Sequence, residues 1–132
     1  MTYLLDTNII TAILEDNEKV KRIAKEKVLE GKDIRINGIS YYEIKRGLLS
    51  ANATNKLRKF EQLCKNFGLV LLDAQKIFDI ASEIYALLKQ KGKLIQDADI
   101  LIASIARHND FVIVSHDSDF NRIQNIKVED WL

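Results

Sequence analysis

Tyr3-Leu4-Leu5-Asp6-Thr7-Asn8 stands at the head of the chain, and the fold is read from it. Three apolar residues make a short buried strand, and the strand stops on an acid. Thr7 and Asn8 form a polar turn. Ile9, Ile10, Ile13 and Leu14 then recur at the spacing of a short helix with an apolar face.

The same alternation continues downstream. Val20, Ile23, Ala24 and Val28 give a charged surface helix over 17–32, ended by Gly31. Ile34 to Ile39 is β-branched and alternating, a second strand. Ser40 and Glu43 have the spacing of a capping box, which predicts a helix starting at Ser40 with Glu43 in its first turn. Ser50 to Asn55 is a polar turn. The next helix, 55–67, carries Leu57, Phe60, Leu63 and Cys64 on one face. Leu69 to Leu72 reads as a third buried strand ending at Asp73, and Ile77 to Leu88 as a long helix closing near Gly92. Asp97 to His108 is a helix whose first turn holds Asp97, the better cap, and Asp99. Phe111 to Val114 is a fourth strand, followed by Ser115-His116-Asp117, and Ile126 to Val128 a short fifth at an edge. Mostly continuous apolar strands alternating with helices predict an α/β fold: a central, mostly parallel sheet of four to five strands flanked by helices.

Composition narrows the class. The 132 residues fit a single domain over 1–132, without repeat or linker. Hydrophobic residues at 47% and charged ones at 30% describe a globular chain, not a disordered one. No apolar run is long enough for a membrane span, and the N-terminus lacks the basic region of a secretory signal. A lone cysteine, Cys64, excludes an internal disulfide and points to the reducing cytoplasm. One Cys and two His argue against a structural zinc site. The net charge of +1 does not announce a nucleic-acid partner, so phosphate affinity would have to be local. With no proline and only five glycines, turns fall to Asn, Asp and Ser.

The acids are the informative feature. Asp6 follows the first strand and Asp117 the fourth, and the carboxyl ends of strands border the ligand crevice of an open α/β sheet. Glu43 and Asp99, near helix starts, can face the same crevice. Four converging carboxylates repel one another unless a cation neutralises them. Hard oxygen donors favour Mg²⁺ or Mn²⁺. Such ions acidify a bound water and clamp phosphodiester oxygens, which makes hydrolytic phosphodiester cleavage the expected chemistry. Each acid also has a plainer role. Asp6 can cap the helix at Thr7, Glu43 can complete a capping box, Asp97 and Asp99 suit a helix dipole, and Asp117 and Asp119 are ordinary turn residues. Their joint placement is what favours the metal.

Four segments together resemble the PIN domain and, in its short form, VapC toxins of type II toxin–antitoxin pairs. They are Leu4-Leu5-Asp6-Thr7-Asn8, Ile39-Ser40-Tyr41-Tyr42-Glu43-Ile44-Lys45-Arg46-Gly47, Asp99-Ile100-Leu101-Ile102-Ala103 and Val112 through Phe120. The ending Ile126 to Trp131 is also similar. The resemblance implies an endoribonuclease with Asp6, Glu43, Asp99 and Asp117 as catalytic, metal-binding acids. Asp119 is a further candidate ligand, since members differ over which acid of that loop approaches the metal. It implies RNA as substrate, a homodimer and a cognate antitoxin entering the active-site groove. Ser115 stands where Thr is common; its hydroxyl can bind a carboxylate or water. Asn8, Arg46 and Ser115 are candidate substrate contacts. His108, His116, Cys64, Tyr41 and Tyr42 have plain structural readings beside functional ones.

The alternatives are a phosphoreceiver-like signalling domain, for which Leu69 to Asp73 would be the phosphorylated strand, and a catalytically inactive PIN-like binding module. The first needs an acidic pair after strand one, and only Asp6 is there. A phosphatase of the haloacid-dehalogenase type needs an acid where Asn8 stands. The inactive module is expected to lack a core acid, and none is lacking.

Overall fold

The computed structural model describes residues 1–132. Five strands, β1 (Thr2–Leu5), β2 (Asp33–Asn37), β3 (Leu69–Val70), β4 (Val112–Val114) and β5 (Lys127–Glu129), form one sheet in the order β3-β2-β1-β4-β5. Every neighbouring pair is parallel. The helices are α1 (Thr7–Leu14), α2 (Glu18–Leu29), α3 (Gly38–Ser50), α4 (Thr54–Phe67), α5 (Gln75–Gln90) and α6 (Asp97–Asn109), with a 3₁₀ turn at Ser118–Arg122.

Side chains alternate across a strand, so β1 and β4 feed two cores. Tyr3, Leu5, Val112 and Val114 join Ile9, Ile10, Val20, Ile44 and Phe60 under α1 to α4. Leu4 and Ile113 join Ile77, Ile84, Ile102, Ile105 and Phe120 under α5, α6 and the 3₁₀ turn. Both faces are covered, which is why β1 and β4 read as unbroken apolar runs. Each large apolar side chain buried this way contributes about 1.5–3 kcal/mol.

The sparse glycine composition has its counterpart in the turns. Asp16, Asn52, Asp110 and Asn125 all take positive φ, between 52 and 61°, the left-handed conformation that Asn and Asp tolerate best among non-glycine residues. Gly31, at φ +79°, follows α2 as expected.

Three local expectations are corrected. The helix after β2 starts at Gly38, and its N-cap is Asn37, whose side chain accepts from the Ser40 N–H. Ser40 is therefore inside the first turn, no capping box forms, and Glu43 lies in the second turn. The N-cap of α6 is Gln96, without a side-chain bond, so Asp97 is not the cap. The third strand is only Leu69–Val70, half-buried at the sheet edge. An edge strand has one partner, so an apolar run can leave the ladder early. No helix is long and apolar enough to cross a membrane.

Candidate active site

The chain leaves β1 and β4 side by side, because Leu5 pairs with Val114. Asp6 and Ser115 follow immediately at the carboxyl edge of the sheet. The backbone holds this edge together: Asp6 N–H donates to the Val114 carbonyl at 3.0 Å and Ser115 N–H to the Glu129 carbonyl at 2.9 Å.

Asp6 is buried, 5% exposed. Its Oδ1 accepts from the Thr7 N–H at 2.8 Å, and its Oδ2 from Ser115 Oγ at 2.7 Å and Asn8 Nδ2 at 3.3 Å. It is the N-cap of α1 as well as a member of the acid group. Burial raises its pKa and the nearby Asp117 adds to the rise, and together they outweigh the lowering by Ser115, Thr7 and Asn8.

Ser115 Oγ is the hub between the two strand ends. It donates to Asp6, receives the Asp117 N–H at 2.9 Å and lies 3.3 Å from Asn8 Nδ2. Asn8 Oδ1 accepts from the His116 N–H at 3.1 Å. Asn8 and Ser115, offered by the sequence as substrate contacts, are thus engaged in holding Asp6 and the 115–117 loop. Asp117 in turn caps the 3₁₀ turn by accepting from the Asp119 N–H at 2.9 Å.

Carboxylate oxygens of Asp99, Asp117 and Asp119 lie within 4.8 Å of one another, all three half-buried. Asp6 and Glu43 stand outside that tight group, yet both are close enough to act on Asp99. The Asp99 pKa is pushed up to about 7, first by burial and then by Asp117, Asp6, Asp119 and Glu43. No protein donor bonds the Asp99 carboxylate. The one cation beside the cluster is Arg122, 3.8 Å from Asp119. Like charges gathered with so little counter-charge are what a divalent cation would relieve, and three convergent carboxylates are hard-oxygen donors of the kind Mg²⁺ and Mn²⁺ accept. The residues present therefore fit such an ion.

Glu43 lines a groove of about 280 Å³ with Thr7, Thr11, Leu14, Ile44, Leu48 and Lys56. Arg46 is exposed and stacks over the Tyr42 ring, 5.0 Å from its centroid. Tyr41 packs on Phe60 and accepts a hydrogen bond from Lys45. His116 is exposed and its Nδ1 lies 2.8 Å from Asp130. Cys64 is half-buried against the core. Asp73, the phosphoreceiver alternative, is exposed and lies beyond β3. The residue that sequence reading passed over is Asn37. Its signal was present: an Asn at the end of an apolar alternation, three residues before Ser40, is a preferred cap.

A small domain with an all-parallel sheet and acids clustered at the carboxyl edge of that sheet defines the class of protein to which the chain can be compared. The PIN domain family model matches residues 3–126, and the chain belongs to that family. Over 133 residues it is 28% identical to "Ribonuclease VapC1" of Haemophilus influenzae (strain R2866), covering 99% of this chain and 98% of the relative. It is also 28% identical to "Ribonuclease VapC2" of Rickettsia felis over 139 residues, with 99% and 98% covered. Its fold is similar to that in the crystal structure of VapBC2 from Rickettsia felis bound to a promoter DNA fragment, with TM-score 0.90, 25% identity and all of both chains covered. VapBC-1 from nontypeable Haemophilus influenzae gives TM-score 0.87 at 26% identity, covering 99% and 98%.

Proposed function

We propose that this chain is a VapC-type toxin endoribonuclease that hydrolyses RNA phosphodiester bonds and depends on Mg²⁺ or Mn²⁺. The observation that carries the reading is the group Asp99, Asp117 and Asp119, with Asp6 and Glu43 acting on it. Relatives of the same length bearing the name ribonuclease support the reaction and its RNA substrate.

Asp99, Asp117 and Asp119 would hold the ion directly, with Asp6 and Glu43 completing the negative field. When bound, the ion supplies an acidified water and charge neutralisation for the phosphodiester. Ser115 and Asn8 fix Asp6 and the loop of Asp117. Arg46, free of acidic partners on the exposed side of α3, offers a guanidinium for substrate phosphate.

Relatives solved as VapBC complexes support a cognate antitoxin. Two exposed apolar surfaces support two protein contacts. The groove of Ile13, Ala24, Val28 and Phe67 is rimmed by Lys21 and Lys25, which suits an acidic amphipathic segment of an antitoxin. The α5–α6 face of Phe78, Ala81, Tyr85, Ile100 and Leu101 carries few charges, Asp97 and the Lys89 ammonium over the Tyr85 ring, which suits a second copy, where like groups meet like. The single domain over 1–132 and a cytoplasmic location belong to the same reading, the latter supported by the unpaired Cys64.

The deciding experiment is cleavage of RNA by the purified chain, freed of any antitoxin. Cleavage that Mg²⁺ or Mn²⁺ supports and excess EDTA stops is expected. Undiminished cleavage in EDTA would overturn the metal dependence, and no cleavage with either ion would overturn the enzyme.

A further inference from the structure

Asn37 ends β2 and is wholly buried. Its Oδ1 accepts from the Ser40 N–H at 2.8 Å, which caps α3. Its Nδ2 reaches both the Leu5 carbonyl at 2.8 Å and Ser40 Oγ at 2.9 Å. Ser40 Oγ is also 2.9 Å from Thr7 Oγ1. Thr7 in turn gives its N–H to Asp6. The bonds close a ring that runs from Leu5 and Asp6 at the end of β1, through Thr7, Ser40 and Asn37, back to Leu5. The far side of the ring is the first turn of α3, one turn before Glu43.

Helix capping does not account for all of this ring. Asn37 alone caps α3 and ties it to β1, and it already gives Ser40 Oγ a partner. Thr7 is only half-buried and lines the same groove as Glu43. Burial does not force it onto Ser40. The Thr7–Ser40 bond is an added link, and its geometric effect is to fix the start of α1 against the start of α3. Glu43 receives no hydrogen bond from the protein, so its position relative to Asp6 depends on how those two helices are joined.

We infer that Thr7, Ser40 and Asn37 are positioning residues that fix the start of α3, and with it Glu43, against the strand end that carries Asp6, and thereby set the affinity of the acid group for a divalent cation. The inference rests on the metal-dependent reading above. Polar partners placed behind metal-facing groups typically change metal affinity by about 10–100-fold when removed.

Thr7→Val tests this with the least disturbance, since it keeps the side-chain shape and the backbone N–H to Asp6. The readout is the Mn²⁺ concentration at half of the Mn²⁺-induced rise in melting temperature of the full chain, with Mn²⁺-dependent cleavage measured alongside. Thr7→Val is expected to raise both midpoints roughly tenfold, at the lower end of that range, and Thr7→Ser to restore them. Ser40→Ala is expected to give the same shift and replaces Thr7→Val if that variant does not fold. A midpoint moved by less than about threefold, well under that range, overturns the inference, as does a Thr7→Ser variant that fails to restore it. A wild-type chain that shows no response to Mn²⁺ overturns the metal reading itself. A wild-type response left unaltered by Thr7→Val overturns the positioning role alone.

Discussion

Two aspartates of one site live under opposite conditions. Asp6 is buried and met by three donors, from Thr7, Asn8 and Ser115. Asp99 is less buried, meets no donor, and faces four other carboxylates. Asp6 is part of the architecture, joining β1 to α1 and β4. Asp99 is a charge held in place by α6 and left uncompensated. One half of the site is locked by its own hydrogen bonds, and the other carries an electrostatic cost that a cation would relieve.

The contrast breaks most directly through activity. Asp99→Asn and Asp117→Asn are each expected to lower RNA cleavage by more than about 100-fold, beyond the usual loss for an outer partner. Metal-free melting temperature separates the two halves. Asp99→Asn is expected to raise it by about 3 °C because it removes a like charge from the cluster. Asp6→Ala is expected to lower it by about 3–6 °C, since it removes the cap of α1 and strands the Ser115 hydroxyl. A fall of similar size for both would erase the distinction.

The pH dependence of the metal-free protein sharpens it further. The folded pKa of Asp99, about 7, lies above its ordinary value of 3.8. Between those limits the folded state holds a proton that the unfolded state has released. Stability from this group is therefore complete below about pH 4 and is lost as pH rises towards 7. Thermal melts from pH 4.5 to 7.5 should show a decline in wild type that Asp99→Asn flattens. The smallest expected effect belongs to Ser115→Ala, which should lower cleavage by about tenfold while leaving all five acids in place.

Much of the fold was legible because burial leaves a mark in sequence. Tyr3-Leu4-Leu5 and Val112-Ile113-Val114 feed two cores at once, so they read as unbroken apolar runs. Strand β3 was overread because the apolar run Leu69 to Leu72 continues past the point where its only neighbour, β2, stops pairing. The start of α3 was misplaced because Ser40 and Glu43 have capping-box spacing, and the spacing does not reveal that Asn37 already holds the Ser40 N–H.

By itself the sequence determined that Asp6 would stand at a strand end, since an apolar run must stop where a charge appears, and that Asp99 would lie in a helix first turn. It also determined that turns would fall largely to Asn, Asp and Ser, for want of glycine and proline; that Asp16, Asn52, Asp110 and Asn125 take the left-handed positions is read from the structure. Only the tertiary structure decided which acids meet. Asp99, Asp117 and Asp119 converge because α6 and the loop after β4 bring their oxygens to one point, while Asp6 turns into the donors around it. The side-chain direction that separates a cap from an unpaired charge is set by contacts between residues some 110 positions apart, such as Asp6 and Ser115, and no local pattern encodes it.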